Sequence, residues 1–141
     1  MAYGYSTKLT ENSAKAVGTS LPISTKYSVE VCIMIRGKQL AKAKQMLEEV
    51  TKQKRAVPLN RYGGEVPHKK GMMRGRYPIK CCTAIKNILE SAEANAQFKG
   101  LNTAKLVVKH IAAQQGPTVM HHGRHGRKAK RTHIEVVLEE Q

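Results

Sequence analysis

Residues 104–138 read AKLVVKHIAAQQGPTVMHHGRHGRKAKRTHIEVVL, and the reading of this stretch decides the fold. Its two ends are apolar and free of turn residues. Residues 104–113 set Leu106, Val108 and Ala112 on one face and Val107, Ile111 and Ala113 on the other. Residues 132–138 form a second run of the same kind, so two β-strands are expected. Between them, residues 116–131 carry Arg124, Arg127, Lys128, Lys130 and Arg131 together with His121, His122 and His125, and no acid. Sixteen residues with so little apolar side chain cannot bury themselves, and such a connector is ordered by a partner or not at all. A partner for that much positive charge is a polyanion, with nucleic acid the first candidate.

The composition agrees. The chain has 141 residues, the size of one domain, and its 40% apolar content supplies one modest core. Lys and Arg number 25 against 10 acids, a net charge of +15, and every acid is Glu. Without Asp, the paired carboxylates that usually hold catalytic Mg²⁺ at phosphates are missing. Three cysteines, Cys32, Cys81 and Cys82, with two of them adjacent, make no disulfide framework and fit a reducing, cytoplasmic compartment. No apolar run reaches the ~18 residues of a membrane span, and the N-terminus has no signal-peptide core, so no membrane partner is expected.

Working outward from the hairpin, residues 14–18 suggest one short N-terminal strand. Ser24 is a candidate N-cap for a helix over 25–36, with Tyr27, Val31, Met34 and Ile35 at helical spacing and Gly37 as its stop. Leu40, Ala43, Leu47 and Val50 form the stripe of a second helix ending near Lys54. Residues 55–76, RAVPLNRYGGEVPHKKGMMRGR, break every periodicity. Two prolines and four glycines argue against a regular element, while Arg55, Arg61, His68, Lys69, Lys70, Arg74 and Arg76 surround Tyr62 with cations. Tyr77-Pro78 then opens a third helix, whose stripe is Cys81/Cys82, Ile85, Ile88, Leu89, Ala92 and Ala96 and whose stop is Gly100. This helix segment, 81–100, is electrically neutral, whereas 61–80 carries +5 and 101–141 carries +4. The expected architecture is α+β: a small antiparallel three-stranded sheet covered on one face by three helices, in a single domain spanning 1–141, with a hairpin extending over about 104–138.

Other chemistries are poorer fits. His121 and His125 have H-x₃-H spacing, but the second ligand pair of a zinc site is missing and Cys81 and Cys82 fall on a core helix, so no metal is expected and the cysteines read as small core residues. His133 and Glu135 share a strand face, with His110 on the partner strand, which are nominal pieces for RNA cleavage. Any basic hairpin supplies such pairs, and no Gly-rich phosphate loop occurs. The turn at Gly37 could belong to a helix-turn-helix DNA-binding module, yet most of the positive charge lies in irregular loops with Tyr62 and Tyr77, which suit folded RNA better than the grooves of duplex DNA.

Several stretches, in order, resemble one family. They are Ala14-Lys15-Ala16, Ile35-Arg36-Gly37-Lys38, VTKQKRAVPLNRYGG at 50–64, Gly75-Arg76-Tyr77-Pro78 with Lys80, Ala92-Glu93-Ala94-Asn95-Ala96, Lys99-Gly100-Leu101, Lys109-His110-Ile111 and the run HIEVVL at 133–138. The chain is similar nearly throughout to the universal large-subunit ribosomal protein family numbered twenty-two in bacteria and seventeen in older eukaryotic schemes, closest to its archaeal and eukaryotic branch. The resemblance implies a structural, non-enzymatic protein without cofactor, bound to large-subunit rRNA and to neighbouring ribosomal proteins. By the same resemblance, rRNA contacts are expected at Lys15, Arg36, Lys38, Arg61, Tyr62, His68, Lys69, Lys70, Arg74, Arg76, Tyr77, Lys80, Arg124, Arg127, Lys128, Lys130 and Arg131. Met120, His121, His122, Gly123, Arg124, His125 and Gly126 are expected at the hairpin tip, facing the nascent polypeptide in the exit tunnel.

Overall fold

The last strand lies at the centre of the molecule. In the computed structural model, which describes residues 3–141, β8 (Thr132–Glu140) is hydrogen-bonded on one side to β1 (Ser13–Leu21) and on the other to β5 (Leu106–Gln115), both antiparallel. The helices are α1 (Thr25–Ile35), α2 (Leu40–Thr51) and α3 (Ile79–Phe98). All seven stripe residues of α3 expected from the sequence are buried, as are Leu40, Ala43, Leu47 and Val50 of α2, because the 3.6-residue period puts them on one side. α3 packs over β1 and β8, α1 over β5, and α2 against α3. Cys32, Cys81 and Cys82 are buried and unbridged among these apolar side chains; burial pushes the thiols of Cys32 and Cys82 up to about 12, so they behave as small hydrophobes. The close approach of α3 to β1 depends on Gly18, since a Cβ there would stand 2.6 Å from Cδ1 of Ile88.

Three details differ from the sequence reading. First, Ile111 and Ala113 face the helices together with Leu106 and Val108, not away from them. The pairing runs Val108↔Leu138 and then His110↔Val137, so Lys109 is an extra residue. This bulge shifts the alternation by one and moves every later side chain to the other face. Lys109 points outward to Glu139, with Nζ 2.7 Å from Oε2. The strand also starts at Leu106, after a 3₁₀ turn over Thr103–Lys105. Second, residues 55–76 do contain regular structure. Short strands β2 (Val57–Pro58), β3 (His68–Lys69) and β4 (Met72–Arg76) form a second sheet in the order β2-β4-β3, because Gly71, at φ 75°, turns β3 back onto β4 and Pro58 sits at an edge. Third, β1 is longer than expected and the segment before it has a structural role.

That segment covers the face of the main sheet opposite the helices. Glu135, on this face, is fully buried and accepts hydrogen bonds from the Ser6 hydroxyl and, at 3.3 Å, the Ser6 amide. His110 Nε2 lies 2.8 Å from the same carboxylate. The Tyr3 hydroxyl donates to Gln114 at 3.4 Å, and Thr10 donates to Glu139 at 3.0 Å. Residues 117–128 of the hairpin are exposed throughout; within the hairpin β6 (Val119–Met120) pairs with β7 (Lys128–Ala129).

Two outcomes are expected. Leu89→Ala should lower stability by about 2–5 kcal/mol, read as a shifted urea midpoint with an unchanged slope, because it opens a cavity where α3 meets the sheet. The second concerns acid. Burial raises the Glu135 pKa, but the hydrogen bonds from Ser6 and His110 outweigh it and hold the carboxyl below its ordinary value of 4.5. A depressed carboxyl stabilises fully above its ordinary value and loses that contribution as pH falls through the folded value. Glu135→Gln should therefore flatten the decline of Tm below pH 4.5, and a decline of unchanged steepness would assign the acid loss to other carboxylates.

Candidate nucleic-acid interface

The basic loop is anchored by an acid. Glu30, on α1, is only 1% exposed, and its Oε1 accepts the amides of Arg61 and Tyr62, both at 2.7 Å, while Oε2 accepts that of Asn60 at 3.2 Å. Three successive N–H groups converging on one point form an anion-binding nest, and here an internal carboxylate occupies it. With its backbone held inward, the loop presents its side chains outward, and Arg61 and Tyr62 are exposed. The sequence reading missed Glu30; its one signal was an acid set between Val29 and Val31 on the apolar side of a helix.

From Tyr62 the cations run on continuously. Lys26 Nζ stands 5.7 Å from the Tyr62 ring centroid and the Arg61 guanidinium 5.8 Å, both in cation–π range. One residue further along α1, Tyr27 accepts a hydrogen bond from Arg76 Nη1 at 2.8 Å. The β3–β4 turn carries His68, Lys69 and Lys70, all exposed, with Arg74 half-buried; Lys69 Nζ lies 5.1 Å over the half-buried Tyr77 ring. A cleft of about 470 Å³ opens here, with Lys54, Arg55, Lys69 and Lys70 around Tyr77. In the hairpin, Met120, His121, His122, Gly123, Arg124, His125, Gly126, Arg127, Lys128 and Lys130 are exposed and Arg131 is half-buried. The tip turns at Gly123 and Gly126, whose φ values of 139° and 42° suit glycine, and closes through the His121 amide on the Arg127 carbonyl at 2.7 Å.

Not every expected residue joins this surface. Lys15 lies on the sheet face opposite the helices, 5.2 Å over the Tyr5 ring. Arg36 and Lys38 are exposed at the far end of α1, where Arg36 donates to the Ile111 carbonyl at 2.7 Å; Lys80 is exposed at the start of α3.

The acids are arranged to leave the loop cations unpaired. Glu30 and Glu135 are buried, and Glu48, Glu49 and Glu93 pair with Lys86 (2.8 Å), Arg55 (2.6 Å) and Lys44 (2.5 Å) on the body. Among the described residues, no cation of 61–80 or 116–131 is in an ion pair. The same distribution argues against a helix-turn-helix. The outer faces of α2 and α3 carry most of the paired acids, and the turn at Gly37 is bonded to β5 through Gly37 N to Val108 O at 2.8 Å and Val108 N to Lys38 O at 2.9 Å. His133 does not join His110 and Glu135 but accepts the Ser20 amide at 3.1 Å, and the fully buried Glu135 is out of reach of a scissile phosphate. The hairpin histidines gather no further ligands: no group of three His, Cys, Asp or Glu among the described residues could hold a metal ion.

If Glu30 sets the loop, Glu30→Ala should cost about 1–3 kcal/mol by leaving amides without their acceptor. Hydrogen exchange of the Asn60, Arg61 and Tyr62 amides should accelerate while α3 keeps its protection, and unchanged exchange at these three would show the loop to be held by other contacts.

Comparison of the sequence with known proteins matches it to one family. The model of ribosomal protein L22p/L17e fits residues 16–139. A protein of Methanococcus aeolicus, the large ribosomal subunit protein uL22, is 44% identical over 137 residues, covering 91% of this chain and 90% of its own. The proteins of the same name from Methanocaldococcus jannaschii and Thermoplasma acidophilum are 42% and 45% identical, covering 92% and 80% of this chain and 89% and 75% of their own. The chain belongs to the ribosomal protein L22p/L17e family, in its archaeal form.

Proposed function

We propose that this chain, a non-enzymatic structural constituent of the large ribosomal subunit in the cytoplasm, binds large-subunit rRNA through two surfaces and presents its hairpin tip to the nascent polypeptide in the exit tunnel. The first surface is the loop and small sheet bearing Arg61, Tyr62, His68, Lys69, Lys70, Arg74, Arg76 and Tyr77. The second is the hairpin with Arg124, Arg127, Lys128, Lys130 and Arg131, whose residues 120–126 face the tunnel. Lys15, Arg36, Lys38 and Lys80 add contacts at the flanks of the body, and neighbouring ribosomal proteins complete the surroundings.

The observation that carries the reading is the set of unpaired cations in the loop and hairpin, set against a body most of whose acids are paired or buried. Such cations gain by displacing counterions from a phosphate backbone. The accompanying aromatic rings favour RNA, whose irregular regions offer unstacked bases to Tyr62 and Tyr77. The family supports the ribosomal setting. A small basic domain with a long exposed hairpin also suits a role in holding RNA segments together from one anchored body.

Sucrose-gradient sedimentation after a high-salt wash tests the reading directly. Co-migration with the large subunit, abolished by ribonuclease, is the expected result, and migration free of ribosomes would sink it. In filter binding to large-subunit rRNA, Lys69→Ala with Lys70→Ala should reduce the slope of log affinity against log salt by about 0.7–0.9 for each phosphate left unneutralised, while far-UV circular dichroism stays unchanged.

A further inference from the structure

The hairpin is made of two paired pieces that do not join directly. The long β5–β8 ladder ends at Gln115↔Thr132, followed by one bond from the Gly116 amide to the Arg131 carbonyl at 2.9 Å. Pairing resumes at Val119↔Ala129 and Met120↔Lys128. Pro117, which has no N–H to donate, lies in the gap. The outer piece is therefore attached through a short joint without ladder bonds.

Beside that joint is a cavity of about 380 Å³ between hairpin and body. The body contributes Ser24 and Lys26, the hairpin contributes Lys128, Lys130 and Arg131, and no carboxylate lines it. The Ser24 hydroxyl makes no capping bond to α1, and none of the four cations is in an ion pair among the described residues. The body wall is fixed: the buried Thr132 hydroxyl donates to the Ile23 carbonyl at 2.9 Å and meets the Thr25 hydroxyl at 2.8 Å, which ties the start of α1 to the start of β8. Lys26 also stands 5.7 Å from the Tyr62 ring centroid, so one side chain links the cavity to the basic loop.

Four like charges, one on the fixed body and three on the jointed hairpin, repel across this space unless an anion lies between them. The donors approach from both sides, which matches the two non-bridging oxygens of a phosphodiester, each able to accept charge-assisted hydrogen bonds from a different direction. We propose that the cavity holds a backbone phosphodiester of RNA, gripped by Lys26 on the body and by Lys128, Lys130 and Arg131 on the hairpin, and that this bridge sets the direction of the hairpin's outer piece. The proposal rests on the rRNA-binding reading above. Free of RNA, the outer piece pivots about its unpaired joint; with the phosphate in place, repulsion becomes mutual attraction to one anion and the tip is aimed.

The test uses the full-length chain in two arms. In the first, inorganic phosphate is titrated into ¹⁵N-labelled protein; the Thr25 and Lys26 amide resonances are expected to shift saturably, and Lys26→Gln to abolish the saturation. Absence of a saturable shift in the wild type overturns the site. In the second, binding to large-subunit rRNA is measured over a salt series. Lys26→Gln should lower the slope by about 0.7–0.9, the equivalent of one phosphate, whereas Lys42→Gln, at an exposed α2 position away from the cavity, should leave it unchanged. Hydrogen exchange across 119–129 in the Lys26→Gln complex should be several-fold faster than in the wild-type complex, although no bond within that segment is altered. An unchanged slope overturns the RNA contact and, if inorganic phosphate still binds, assigns the cavity to a free anion. A reduced slope with unchanged exchange overturns the bridge. Wild-type protein that fails to bind rRNA sinks the rRNA-binding reading itself, a failure visible before any substitution is made.

Discussion

The fold depends on one strand being enclosed on every side. β8 has a hydrogen-bonded neighbour along each edge, the helices against Ile134, Val136 and Leu138, and the N-terminal segment over Glu135. A central strand with no free edge leaves no backbone donor or acceptor unpaired, and its apolar side chains fix the register of β1 and β5 at once. The bulge at Lys109 follows from the same demand: without the extra residue, Ile111 and Ala113 would leave the core and His110 could not meet Glu135. A long β5–β8 ladder rooted in that enclosed strand is what carries an exposed basic hairpin without any core of its own.

Charge is the second constraint. A chain of net charge +15 folds because its cations are kept where water and salt screen them. The few acids are concentrated in the body. Two of them, Glu30 and Glu135, are buried and hydrogen-bonded, and each holds irregular chain in place: Glu30 the loop at 60–62, Glu135 the N-terminal segment at Ser6. The acids thus organise the backbone and the cations remain available. This division explains why the nest at 60–62, which by backbone geometry alone would take an external phosphate, is satisfied internally while the neighbouring side chains face outward.

Lys26 links the two basic surfaces. It lies within reach of Tyr62 and lines the cavity at the hairpin joint, on the first turn of the same helix whose Glu30 anchors the loop. The loop, the helix start and the hairpin base are therefore parts of one surface, although they are far apart in the chain.

Much of this was legible in the residues. The stripe of α3, the apolar spacing of α2, the strand pair flanking an acid-free connector, and the neutrality of 81–100 beside its basic neighbours all follow from local periodicity and composition, which depend only on residues a few positions apart. The family resemblance rested on the same local stretches. Tertiary structure alone decided the rest. It placed Lys109 in a bulge, drew β2, β3 and β4 into a sheet from a segment without periodicity, buried Glu30 against amides thirty positions away, laid residues 3–10 over Glu135, and brought Lys26 to the hairpin joint. Each of these is set by which distant groups must be satisfied once the core has closed, and a pattern read along the chain carries no record of that partner.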